Sequence, residues 1–70
     1  MSIKKIAQSI LGQSGYLAVI IDEDGDISVS VEQTEAHAIQ TGVLACEIDG
    51  TENIDNLIEA IQAAIDAHDA

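Results

Sequence analysis

Seventy residues make one domain (1–70) with a modest stability margin, since so short a chain buries a smaller share of its surface than a larger one. The composition is 47% hydrophobic but 1% aromatic, with no Phe, Trp or Pro, so Ile, Val, Leu and Ala must build the core, and the single ring of Tyr16 excludes a base-stacking platform for single-stranded nucleic acid. Lys4 and Lys5 are the only Lys or Arg residues and all 13 acids lie at or beyond residue 22, so segments of +2 and −13 sum to the net −11; direct binding to a nucleic-acid backbone is excluded, and a basic protein surface is the natural complement, although the same charge also serves solubility.

Residues 3–11 place Ile3, Ile6, Ala7, Ile10 and Leu11 at helical spacing, with Ser2 as N-cap and Gly12 as the stop. Residues 16–21 form an uninterrupted apolar run, which predicts a strand that is central in a sheet or covered on both faces. Residues 27–32 alternate, with Ile27, Val29 and Val31 on one face and Ser28, Ser30 and Glu32 on the other. Between these strands lies Asp22-Glu23-Asp24-Gly25-Asp26, whose Asp24-Gly25 pair suits a hairpin turn because both residues can take positive φ.

The segment 33–41 fits a strand continuation or an excursion, since Ala36, Ala38 and Ile39 satisfy neither period cleanly. Residues 43–48 read as a third strand, with Leu44, Cys46 and Ile48 on one face, ending at Asp49-Gly50. Thr51 or Asn53 then caps a final helix whose stripe is Ile54, Leu57, Ile58, Ile61 and Ile65, with Glu52 and Asp55 near its positive end. The expected fold is α+β: a small three-stranded antiparallel sheet with the N-terminal and C-terminal helices packed on one face, in the order α-β-β-β-α.

Cys46 stands alone, which excludes a disulfide-stapled secreted miniprotein and fits a cytoplasmic location; residues 1–13 lack the unbroken apolar stretch of a signal peptide, and no run is long enough to cross a membrane. Asp22, Asp24 and Asp26 occupy positions 1, 3 and 5 of a calcium loop, but Ile27 stands at position 6 and Gln33 at position 12, where glycine and a bidentate carboxylate are needed. We therefore read them as solvated turn carboxylates and assign no metal. His37 and His68 have no Cys or His at ligand spacing, and Cys46 reads as a small buried hydrophobe. With no nucleophile elbow and no phosphate-cradling glycine loop, the chain is expected to be non-enzymatic and to need no cofactor.

One further pattern is the Glu-Asp-Gly turn leading into Ile-x-Val-x-Val-Glu over residues 23–32, followed by Glu47-Ile48-Asp49-Gly50-Thr51-Glu52-Asn53-Ile54 at a helix start. Over roughly residues 16–60 this order resembles the small phage-encoded anti-CRISPR proteins that inhibit type I surveillance complexes. The resemblance implies an inhibitor, acting inside a bacterial host cell, that docks on the basic nucleic-acid-binding surface of a Cas subunit. It also places Glu32 where the family presents an acidic contact. The chain departs from the family at Asp22, where the family has a tyrosine, and at Ser28 and Ser30, where it has basic residues. The expected partner-binding set is Asp22, Glu23, Asp24, Asp26 and Glu32, grouped at one end of the hairpin. The alternative is a self-associating or adaptor protein, a homodimer for example, joined through an open strand edge supplied by residues 33–41 or through the helix stripe.

Overall fold

The computed structural model describes residues 2–69. Its elements run α1 (Ile3–Ser9), β1 (Ser14–Ile21), β2 (Ile27–Glu32), α2 (Glu35–Thr41), β3 (Val43–Asp49) and α3 (Ile54–Asp69). The chain is thus the expected α+β fold, with a three-stranded antiparallel sheet and a helix at each end, plus one helix that the sequence left ambiguous.

Each helix begins where a side chain satisfies an otherwise unpaired amide. The Ser2 hydroxyl accepts from the Lys5 N–H at 3.2 Å, Thr34 from the His37 N–H at 3.2 Å, and Asn53 from the Asn56 N–H at 2.9 Å. Asn53 therefore caps α3, while Thr51 is engaged with Asp49.

The sheet order is β2-β1-β3, so the strand that is apolar on both faces is indeed the central one. Tyr16 pairs with Glu32 and Ile21 with Ile27 on one side of β1; Ser14 pairs with Asp49 and Val19 with Val43 on the other. Because β2 and β3 are both antiparallel to β1, they are parallel to each other, and the chain must cross the sheet to connect them. α2 makes that crossing. Seven residues at about 1.5 Å each span roughly two strand spacings of about 4.8 Å, the distance from β2 to β3.

Leu17 and Val19 are completely buried beneath α1 and α3, in a core with Ile6, Ala7, Ile10, Ile48, Leu57, Ile61 and Ala64. Ala18, which points the other way, is also completely buried, as is Ala38 of α2, and neither belongs to that core. α2 packs against all three strands on this second face. The two-helices-on-one-face arrangement therefore holds for α1 and α3, and the sheet is covered on its reverse side as well. α2 gave little helical signal because Ala38 is its only buried side chain.

Two local expectations are corrected. Leu44, Cys46 and Ile48 do not share a face: a bulge leaves Ala45 unpaired, so that Cys46 lies opposite Leu17 on the core face while Leu44 lies opposite Ala18 on the reverse face. In the hairpin, Gly25 alone has positive φ (85°) and Asp24 does not. The Gly25 N–H donates to the Asp22 carbonyl and the Asp22 N–H to the Asp26 carbonyl, both at 3.1 Å, which makes a longer loop closed by a bulged glycine.

Candidate partner-binding surface

The β1–β2 loop is organised around one carboxylate. Asp22 Oδ1 accepts the backbone N–H groups of Asp24 and Asp26, each at 2.9 Å, because the loop amides have no strand partner and a short acidic side chain can reach them. This folds the loop so that ligand atoms of Asp22, Asp24 and Asp26 lie within 4.8 Å of one another, all on exposed residues. Glu23 is exposed in the same loop. Four of the five expected contact residues therefore share one loop.

Glu32 does not join them. It closes β2 opposite Tyr16, five register steps from the Ile21–Ile27 pair at the loop, or about 17 Å along the strand. Grouping it with the loop treated the hairpin as a point, although the strand between them is six residues long. Glu32 instead accepts a hydrogen bond from the Ser30 hydroxyl on the reverse face of the sheet.

Tyr16 has a second cross-strand neighbour, Glu47 of β3. Glu32, Tyr16 and Glu47 thus form one row across all three strands. The three side chains share a face because directly opposed residues of an antiparallel pair point the same way. Sequence reasoning missed Glu47, since β3 lies beside β1 only through the crossover and nothing local signals that neighbour.

Other titratable groups serve the frame. Asp49 Oδ1 accepts from the Thr51 hydroxyl at 2.6 Å and from the Thr51 N–H at 3.0 Å, and these bonds hold its carboxyl below the ordinary range. The Glu52 carboxylate accepts from the N–H groups of Asp49 and Gly50 at 3.1 and 3.2 Å, tying the end of β3 to the approach to α3. Burial, and after it the charge of Glu52, pushes the Cys46 thiol up, which keeps it protonated and a poor nucleophile. His37 lies on α2 and His68 in the last turn of α3.

Among the described residues, Asp22, Asp24 and Asp26 are the one group able to offer a metal three ligands, no cavity of ligand size is found, and no helix is long and apolar enough to cross a membrane. The described residues offer acidic surface at the hairpin loop, at the row through Tyr16 and along α3, where Asp55, Glu59, Asp66 and Asp69 are exposed. No protein-family model, curated protein or solved structure significantly matches the chain.

Proposed function

We propose that this chain is a non-catalytic binding protein that docks its acidic surface on a basic, nucleic-acid-binding protein and blocks access to that protein. The observation that carries this reading is the hairpin loop. Asp22, Glu23, Asp24 and Asp26 are held on a preformed loop with their side chains exposed, and the chain has only Lys4 and Lys5 to set against 13 acids. A preorganised acidic loop speeds and orients docking on a surface of opposite charge. Within that class, the resemblance noted above points to a Cas subunit of a type I surveillance complex, with the acidic surface standing in for DNA.

An affinity capture from bacterial lysate containing an assembled surveillance complex, at moderate salt, tests the reading. The control bait carries Asp22→Asn, Glu23→Gln, Asp24→Asn and Asp26→Asn, which remove charge while keeping an oxygen acceptor at position 22 for the loop amides. Recovery of a Cas subunit by the native chain and not by the neutralised one supports the proposal. Recovery of the bait alone contradicts it and favours self-association, for which the open outer edges of β2 and β3, rather than residues 33–41, are the available edges.

A further inference from the structure

β2 is an outer strand of the sheet, and the hairpin loop fixes which of its backbone groups point outward. The Asp22 N–H donates to the Asp26 carbonyl, so that pair is bonded. Bonded and non-bonded pairs alternate along an antiparallel ladder, and the register runs without a break from Ile21–Ile27 to Tyr16–Glu32. Ser28, Ser30 and Glu32 therefore direct their N–H and C=O groups at β1, while Ile27, Val29 and Val31 aim theirs away from the sheet. Among the described residues, no backbone partner outside the sheet meets those three.

The two outer strands are not alike. β3 carries a bulge at Ala45 and the charges of Glu47 and Asp49, devices that discourage pairing with a further strand. Residues 27–31 of β2 have no charge, no proline and no bulge. Ile27, Val29 and Val31 pack against the core but are only partly buried, which leaves a ridge of branched apolar side chains along this edge. Acids stand at both ends of the ridge: the hairpin loop before Ile27, and Glu32 and the exposed Glu35 after Val31.

We propose that the outer edge of β2 takes an extended segment of the basic partner as a fourth, antiparallel strand, with apolar residues opposite Ile27, Val29 and Val31 and Lys or Arg at both ends. This rests on the binding reading above and names the mode of contact. Directly opposed residues of an antiparallel pair share a face, so the partner's apolar side chains extend the core face while main-chain bonds at the three outward positions supply affinity. The acids at either end select the basic flanks. A second copy of this chain fits the edge poorly. Antiparallel pairing of two β2 strands sets the hairpin loop of each copy against Glu32 and Glu35 of the other, and parallel pairing sets loop against loop. Residues 22–70 hold no Lys or Arg to offset either.

The test uses the peptide Lys-Lys-Val-Thr-Val-Thr-Val-Lys-Lys and the same peptide N-methylated at its three valines, which keeps the charge and side chains but removes the main-chain donors that face β2. NMR of the isotope-labelled chain follows binding and amide exchange together. The amides of Ile27, Val29 and Val31 are expected to exchange fast in the free chain and to slow about tenfold when the unmethylated peptide is present at about ten times its Kd. That peptide should bind about tenfold or more tightly than the methylated one, the loss expected for a few main-chain hydrogen bonds. Equal affinity for the two peptides, with those amides unprotected, overturns strand addition while leaving the acidic-docking reading intact. Binding of neither peptide overturns both. Slowing of the three amides in the chain alone, growing with protein concentration, gives the edge to a second copy and overturns the proposal.

Discussion

A Cβ built on Gly15 would lie 2.5 Å from the carbonyl oxygen of Glu32, inside any tolerated contact. Gly15 also has φ of +144°, a conformation that side-chain-bearing residues rarely adopt. Replacing it by alanine therefore has to push β2 away from the centre of the sheet or refold the start of β1. Gly15→Ala should lower stability in urea unfolding by about 3 kcal/mol. Gly12→Ala, where φ is +85° but nothing stands within 4 Å of the new atom, should cost about 1 kcal/mol. Equal losses at the two positions would show that β2 does not press on Gly15.

Ile61 is completely buried at the centre of the α3 stripe, whereas Ile39 on α2 is 57% exposed. Ile61→Ala should cost about 3 kcal/mol through lost burial and the cavity left behind. Ile39→Ala should change stability by less than about 0.5 kcal/mol. Thermal or urea unfolding of the two variants side by side checks the contrast.

These positions also show how far the sequence could be read. The α3 stripe, the alternation in β2 and the apolar run of β1 were legible because each buries enough side chains to set a period. α2 was not, because a seven-residue crossover buries only Ala38. The bulge at Ala45 escaped notice because an inserted residue shows itself only against a partner strand. The same limit applied to the site. The loop acids are neighbours in sequence and were found together. The placement of Glu32 beside Tyr16, and of Glu47 on the other side of that ring, depends on strand order, which no local pattern encodes.

The Asp49 carboxyl is held below its ordinary pKa by the hydroxyl and amide of Thr51. A group whose pKa is lower folded than unfolded adds stability above its unfolded value, and that contribution disappears as pH falls through the folded value. The stability difference between the native chain and Asp49→Asn should therefore be constant near neutrality and shrink below the ordinary carboxylate range, about pH 4. Thr51→Ala should move the Asp49 titration upward in a carboxyl-detected NMR experiment. An unmoved titration would mean that Thr51 does not hold the carboxylate.

The most direct measurement is competition between this chain and a labelled target duplex for a purified type I surveillance complex, followed by mobility shift. If the acidic hairpin loop docks where DNA would bind, the native chain releases the duplex. Release then weakens as salt rises, since screening shortens the reach of the charges, and it fails with the Asp22→Asn, Glu23→Gln, Asp24→Asn, Asp26→Asn variant. Full retention of the duplex in the presence of excess folded native chain would contradict the proposal.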